Sequence, residues 1–152
     1  MQLSPSIVGS RVPEHDALVE RGRLRFFAKA TGQTDPLYTD LDAAEAAGHR
    51  DLPVPPTFFF CLDMDRPNPS GFYTELGIDP RSLLHGEEEF TYHAMAYAGD
   101  TLHFRTTVTD VYAKKGGALQ FLVRTTEVTR DGEPIATLTN NVVIRQLPGA
   151  SA

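Results

Sequence analysis

The stretch TFFFCLDMD, residues 57–65, determines how this chain folds. It follows three prolines, Pro53, Pro55 and Pro56, which force an extended approach and place a proline in the first turn of a helix. Because apolar side chains occupy most sides of that helix, it offers no broad polar face to water. We therefore expect residues 57–65 to form a buried helix that ends at RPNPSG, residues 66–71.

After this helix the sequence changes to a period of two. Four runs separated by turn signals cover residues 85–96, 101–112, 119–129 and 134–145. The alternating positions predicted to face the core are Leu102, Phe104, Thr106 and Val108 in the second run and Leu119, Phe121 and Val123 in the third. The connections Ala98-Gly99-Asp100, Lys115-Gly116-Gly117 and Arg130-Asp131-Gly132 predict a hairpin between each run and the next.

Four long antiparallel strands need an apolar partner, and only the helix at residues 57–65 has the required character. We therefore expect an α+β fold in which a curved antiparallel sheet wraps around one central helix. The N-terminal half supplies a helical entrance segment. It contains a helix at residues 20–31 that ends at Gly32, and a short helix at residues 41–48 that begins after the N-cap Asp40 and ends at Gly48.

Length and composition are those of one domain, which we expect to span residues 1–152. The chain has no apolar run of the roughly 20 residues that a membrane span needs, and no secretory signal, so we expect a cytoplasmic protein without a membrane partner. Both ends, residues 1–6 and 148–152, are expected to be frayed.

Charge and cysteine content exclude several classes of function. The net charge of −6 and the scattered Lys and Arg residues argue against nucleic acid binding. The single cysteine, Cys61, cannot form an internal disulfide, and we interpret it as a small packing residue. The histidines lack metal-ligand spacing, so no metal site is predicted.

Four segments together resemble a known family. They are FAKATGQTDPLYTD at residues 27–40, LPVPPTF at 52–58, LHGEEEFTYH at 84–93 and AGDTL at 98–102. The pattern is similar to the MaoC-like dehydratases with the hot-dog fold, specifically their amino-terminal, non-catalytic type, the FAS1-like dehydratases. This resemblance implies reversible addition of water to a 2-enoyl thioester of coenzyme A or acyl carrier protein, without a further cofactor. It also implies a dimer, or a double hot dog, with binding tunnels between two units.

The sequence departs from the catalytic members at three positions. Their entrance loop reads G-D-x-N-P-[LI]-H, and a His-Gly pair begins their central helix; the Asp and His move protons while a backbone N–H polarises the thioester carbonyl. Here Gln33 stands at the position of the Asp, and an amide cannot exchange a proton at useful pH. Tyr38 replaces the His, and a phenol is a poorer base than an imidazole near neutral pH. Pro56 replaces the Gly and has no N–H to donate.

His85 is the remaining candidate for proton transfer. It begins the first strand, and a period of two places Glu87 and Glu89 on its face, where an imidazole beside carboxylates can act as acid or base. The alternative is a histidine at a strand end that hydrogen-bonds the entrance loop, next to a solvated acidic patch.

Substrate contacts are predicted from the entrance loop, the start of the helix and two strands. The residues are Asp35, Pro36, Pro56, Thr57, Phe58, Arg105 and Arg124. The two arginines, with Lys114 and Lys115, are candidates for the phosphates of coenzyme A, and a solvated sheet face is the alternative. Core packing is the alternative for at least two of the three phenylalanines at 58–60.

Three functions follow from these observations. The first is an acyl-binding, catalytically silent subunit that pairs with a hot-dog partner carrying the Asp and His. The second is a self-sufficient homodimeric hydratase that uses His85 with Glu87 and Tyr38. The third is a thioesterase that uses Asp63 or Asp65, which lie late in the helix and far from its N-terminal donors.

Overall fold

The computed structural model describes residues 3–145. The predicted fraying of residues 1, 2 and 148–152 therefore lies outside the described residues. Residues 3–6 are ordered, which corrects the prediction for them: Leu3 is buried, and Ser4 caps a short 3₁₀ helix at Pro5–Ile7.

The chain forms four α-helices and five strands in the described range. They are β1 (Arg11–Leu18), α1 (Arg21–Ala30), α2 (Leu41–Ala46), α3 (Phe58–Asp63), α4 (Gly71–Glu75), β2 (Leu83–Tyr92), β3 (Thr101–Lys114), β4 (Leu119–Arg130) and β5 (Glu133–Arg145). Short 3₁₀ helices at Pro36–Tyr38, Pro80–Ser82 and Lys115–Gly117 lie in the connections. The predicted entrance helices are confirmed, and Asp40 caps α2 by accepting hydrogen bonds from the backbone of Asp42 and Ala43.

All five strands pair antiparallel in one sheet, in the order β1-β3-β4-β5-β2. The connections at 115–117 and 130–132 are hairpins, as predicted. The connection at 98–100 is not a hairpin, because β2 pairs with β5 while β3 lies between β1 and β4. The edge strands are β1 and β2.

Strand β1 was not predicted from the sequence. Its segment RVPEHDAL contains Pro13, and its pairing with β3 shifts between Val12 and His15. The shift places Val12, His15 and Ala17 on the buried side and interrupts the period of two. The sheet therefore has five strands and not four.

The expected α+β hot-dog fold is confirmed, with α3 against the inner face of the sheet. Phe58, Phe59 and Leu62 of α3 are buried in one core cluster. The strands contribute to that cluster chiefly through Leu102, Phe104, Val128, Ile135 and Leu138. The helix is shorter than predicted, because Thr57 and Met64 are its caps. Cys61 packs partly buried against this core, and burial raises the pKa of its thiol.

The inner face of β4 differs from the prediction. The buried residues of this strand are Gln120, Leu122, Arg124, Thr126 and Val128, whereas the predicted set of Leu119, Phe121 and Val123 lies on the outer face. On the outer face the Phe121 ring stacks on Tyr112 at 4.6 Å. The outer positions are the more apolar ones at this end of the strand, because the inner face carries Gln120 and Arg124, so the alternation indicated the wrong face.

Candidate functional site

The entrance loop is held by its own side chains. The Gln33 side-chain oxygen accepts a hydrogen bond from the Asp35 backbone N–H at 3.0 Å. The Asp35 carboxylate in turn accepts from the Leu37 N–H at 3.0 Å and caps the 3₁₀ helix in which Pro36 is the first residue. The Gln33 side chain thus stabilises the loop, and its oxygen already accepts a hydrogen bond.

The start of α3 carries little polar chemistry. Pro56 and Thr57 are exposed, and the Pro56 carbonyl accepts a hydrogen bond from the Tyr92 hydroxyl at 2.8 Å. The Phe58 N–H donates to the Pro55 carbonyl at 3.0 Å. Because Pro56 has no N–H, this turn does not present the backbone donor that the resemblance implies for catalytic members at this position.

Of the three phenylalanines, two pack in the core and one faces a pocket. Phe58 and Phe59 are each 3% exposed, and the Phe58 ring contacts Phe27 edge-on at 5.1 Å. Phe58 therefore packs in the core, and its predicted contact with substrate stays a prediction. Phe60 lines a pocket of about 180 Å³.

This pocket lies between the helices α3 and α4 and the inner face of the sheet. Its walls are mainly apolar and are formed by Phe60, Met64, Tyr73, Leu83, Leu84 and Val142. Its polar lining includes Arg66, His85, Arg124 and Asn140. The pocket therefore combines apolar walls with a few polar groups, a composition that small-molecule sites share.

His85 reaches this pocket because of a β-bulge. The pairing of β2 with β5 shifts between His85, opposite Val142, and Glu87, opposite Asn141. Gly86 is the extra residue, so His85 lies on the same face as Glu88, and Glu87 lies on the other face. The predicted pairing of His85 with Glu87 and Glu89 is wrong for this reason.

Asn140 joins the inner face of β2 to that of β4. Its amide nitrogen donates to the Glu88 carboxylate and lies 3.4 Å from His85 Nδ1, while its oxygen accepts from Arg124 Nη2 at 3.0 Å. Partial burial is the main reason that the pKa of Glu88 is raised above its ordinary value, although the Asn140 hydrogen bond and the nearby His85 and Arg124 act in the opposite direction. His85 also contacts the Phe60 ring edge-on at 5.4 Å.

Arg124 is buried without a carboxylate partner. Arg124 is 6% exposed, and its guanidinium lies over the Tyr73 ring at 5.5 Å. Its Nε has no hydrogen-bond acceptor among the described residues. Within residues 3–145 it forms no salt bridge. A buried guanidinium without a carboxylate is unusual because the charge is costly to desolvate.

Arg66 forms a second buried guanidinium at the same pocket. It pairs with Asp63, one helical turn earlier, and its Nη2 donates to Thr106 Oγ1 at 3.3 Å. Both Arg66 and Asp63 are nearly fully buried, and the Nη1 of Arg66 has no acceptor. Thr106 continues the network to Thr126 at 2.8 Å.

The two arginines predicted to act together lie on opposite faces of the sheet. Arg105 is exposed and bonds Glu14 at 3.1 Å, whereas Arg124 faces the pocket. Arg105 pairs with Glu127, which lies on the outer face of β4, whereas Arg124 lies on the inner face of that strand. Lys114 lies over the Tyr112 and Phe121 rings, also on the outer face.

The aspartates considered for hydrolysis are occupied by arginines. Asp63 pairs with Arg66, and both oxygens of Asp65 accept from Arg23, at 2.5 and 3.0 Å. Neither carboxylate is presented as a free nucleophile or base.

Only some of the predicted site residues therefore lie together in the structure. His85 and Arg124 line one pocket and are linked through Asn140, whereas Gln33, Tyr38 and Pro56 do not line it. The sequence analysis missed Arg66, Asn140 and Glu88. Asn140 and Glu88 are polar residues on the inner face of a strand, and Arg66 lies just after the buried helix. In residues 3–145, no cluster of three His, Cys, Asp or Glu side chains could hold a metal ion, and no helix could span a membrane.

Comparison with protein families gives a match over most of the chain. Residues 6–138 match the family described as FAS1-like, dehydratase domain region. A UPF0336 protein from Saccharopolyspora erythraea is 36% identical over 147 residues, which are 95% of this chain and 93% of that protein.

Solved structures share the fold. The HadBC complex of Mycobacterium tuberculosis, a 3R-hydroxyacyl-ACP dehydratase, superposes with a TM-score of 0.75 at 23% identity, over 94% of this chain and 99% of that chain. A structure described as a MaoC-like dehydratase superposes with a TM-score of 0.77 at 26% identity. That match covers 93% of this chain and 43% of the other, so the other chain is more than twice as long as the matched region.

Proposed function

This chain belongs to the FAS1-like dehydratase-region family, and we propose that it is the acyl-thioester-binding, catalytically silent subunit of a MaoC-like hydratase or dehydratase. Family membership confirms the resemblance read from the sequence. The proposed substrate is a 2-enoyl or 3-hydroxyacyl thioester of coenzyme A or acyl carrier protein, and no further cofactor is proposed.

One observation carries the proposal of silence. Gln33 stands where the catalytic members have their Asp, and its side-chain oxygen is bound to the Asp35 N–H at 3.0 Å. An amide neither takes up nor releases a proton near neutral pH, and this one is engaged in bracing the loop. Tyr38 and Pro56 support the same conclusion, since they replace the base and the backbone donor.

A second hot-dog subunit would supply the missing groups. The edge strand β2 presents an unpaired side, and an exposed edge in a protein is normally covered. The HadBC neighbour is described as a complex, and the MaoC-like neighbour is more than twice as long as the region that matches this chain. Both support a paired arrangement, with a homologue or with a second copy.

A self-sufficient hydratase is the competing function. It is favoured by the position of His85, which lines the pocket beside Arg124 and contacts the same amide as Glu88. In this mechanism His85 and Glu88 would move the proton, in place of the predicted pair of His85 and Glu87.

An absorbance assay of enoyl-CoA hydration distinguishes the two functions. We expect the purified chain to bind an enoyl-CoA and to hydrate it no faster than buffer, and a complex with an Asp- and His-bearing hot-dog homologue to turn over. General acid–base catalysis contributes about 10² to 10⁴ in rate, so its absence is easily measured. Robust hydration by the chain alone that His85→Ala abolishes would establish the competing function. If neither the chain nor the complex binds an enoyl thioester, the family fold is present without this ligand.

A further inference from the structure

Two buried arginines at one small pocket require an explanation. Arg66 is 5% and Arg124 is 6% exposed, and both line the pocket between α3, α4 and the sheet. Within residues 3–145, each has a buried N–H group without an acceptor, Nη1 in Arg66 and Nε in Arg124. Buried donors are normally hydrogen-bonded, because an unsatisfied charged donor costs more than a neutral one.

The charges around the pocket leave Arg124 as the group that attracts an anion. Asp63 balances Arg66 through a direct ion pair. Arg124 hydrogen-bonds the neutral Asn140 and lies over the Tyr73 ring, whereas Glu88 lies beyond that amide and does not line the pocket.

The rest of the lining limits the chemistry of the anion. Phe60, Met64, Leu83 and Val142 enclose it with apolar surface. A phosphate exposes oxygens in every direction and would leave several of them against these side chains, whereas a carboxylate has one polar end and can carry an apolar body. A volume of about 180 Å³ is similar to the roughly 150 Å³ cavity that accepts benzene, so a ligand of about six to eight heavy atoms fits.

We propose that this pocket binds the carboxylate of a small amphipathic acid, with the charged end on Arg124 and Arg66 and a short alkyl body against Phe60 and Val142. The inference goes beyond the proposed function, because it concerns an anion site and does not require hydration of a thioester. It assigns a binding role to Arg66 and Asn140, the first as a donor to the carboxylate and the second as the residue that orients Arg124.

Titration of the full-length chain with pentanoate and with pentanamide tests this site. The two probes have the same shape and differ in charge. We expect pentanoate to bind at least about tenfold more tightly, because a charge-assisted hydrogen bond to a buried guanidinium exceeds a neutral one. We also expect the ¹⁵N resonance of Arg124 Nε to shift on addition of pentanoate. Equal affinities, no binding, or tighter binding of inorganic phosphate would each overturn the proposal.

Variants locate the site. Arg124→Met should remove the preference for pentanoate, and Arg11→Met, which deletes an exposed arginine on β1, should preserve it. If Arg124→Met does not fold, the wild-type resonance shift alone decides whether the proposal stands.

A further pair of ligands separates the possible sources of the carboxylate. Pentanoate represents a free acid, and the coenzyme A monothioester of a five-carbon dicarboxylic acid presents a carboxylate at the far end of an acyl chain. Binding of both with dependence on Arg124 assigns the site to the acyl end of a thioester. Binding of pentanoate alone supports the anion site and shows that it does not hold the acyl end of a thioester. The proposed function fails only if enoyl-CoA itself does not bind, so the two failures remain distinguishable.

Discussion

His85 and Glu88 share the inner face of β2, and the Asn140 amide nitrogen contacts both. Regular alternation would place residues three apart on opposite faces of a strand. The bulge at Gly86 adds one residue, so His85 and Glu88 lie on the same face and both reach the Asn140 amide. The chemistry of the site thus depends on one residue without a side chain.

Gly86→Ala should destabilise the protein by about 1–3 kcal/mol. A Cβ at this position would lie 2.6 Å from the Asn141 carbonyl oxygen and 2.8 Å from the Val143 side chain. The first of these atoms belongs to the backbone of the paired strand and cannot move without disturbing the sheet. Urea denaturation measures the loss.

Gly22→Ala is the matched control for this change. Gly22 lies in α1, and an added Cβ there meets nothing within 4 Å. Because alanine is favoured over glycine in helices, we expect stability to stay constant or to increase by up to about 1 kcal/mol. Equal effects of the two alanines would show that the bulge is not sterically constrained.

Glu88→Gln should stabilise the protein at neutral pH and have a smaller effect in acid. Burial raises the folded-state pKa of Glu88 above its ordinary value of 4.5, so the folded protein binds the proton more tightly than the unfolded chain. The stability linked to this group is complete below the unfolded pKa and is lost as the pH rises through the folded pKa. Glutamine is neutral throughout and can still accept from Asn140.

Denaturation of the wild type and of Glu88→Gln at several pH values from 4 to 8 measures this effect. The difference in unfolding free energy should grow with pH and then level off. A constant difference across this range would contradict the raised pKa. Glu87→Gln, on the exposed face of the same strand, is the matched control for removing one carboxylate from β2.

Most strands were predictable from the period of two. That period and the glycine-containing turns at 115–117 and 130–132 placed four of the five strands, β2 to β5, although β2 ends at Tyr92 and not at residue 96. Bulges explain two failures. In β1 the bulge after Val12 conceals the strand, and at Gly86 it reverses the face on which Glu87 was expected.

Buried charge explains the incomplete prediction of the site. Arg66, Asp63 and Arg124 are residue types that normally lie at the surface, and only their three-dimensional partners make them tolerable inside. Arg66 also follows the helix in a segment that resembled a loop. A local pattern cannot indicate that Arg124 meets Asn140 on a neighbouring strand, because that contact depends on the register of the sheet.

Phe59→Ala should destabilise the protein by about 3 kcal/mol or more, since truncation of a buried aromatic loses transfer energy and leaves a cavity. Phe59 is 3% exposed in the core formed by α3 and the sheet. Phe26→Ala, at a position that is 74% exposed, should change stability by less than about 0.5 kcal/mol. A loss below about 1 kcal/mol for Phe59→Ala would contradict the central position of α3.

The purified chain should sediment as at least a dimer, joined along β2. The other edge strand, β1, is interrupted by Pro13 and a bulge, which protect an edge from pairing. Leu84 is 44% exposed on β2, and Leu84→Lys is expected to shift the protein from dimer toward monomer. Leu18→Lys, at a 53% exposed position on β1, should leave association unchanged. Dissociation by Leu18→Lys alone would place the interface on the opposite edge.

Restoring the three missing groups should create hydratase activity in the isolated chain. The triple variant Gln33→Asp, Tyr38→His and Pro56→Gly returns a carboxylate, an imidazole and a backbone N–H to the positions that the catalytic members use. We expect an increase of at least about tenfold in enoyl-CoA hydration over the wild type, below the full 10² to 10⁴ of acid–base catalysis because the loop geometry is not tuned for it. Gln33→Asp alone lacks the base and should give no increase. His85→Ala should leave the new activity intact, since the restored groups and not His85 would move the proton. A wild-type chain that already hydrates the substrate as fast as the triple variant would contradict the assignment of these three positions.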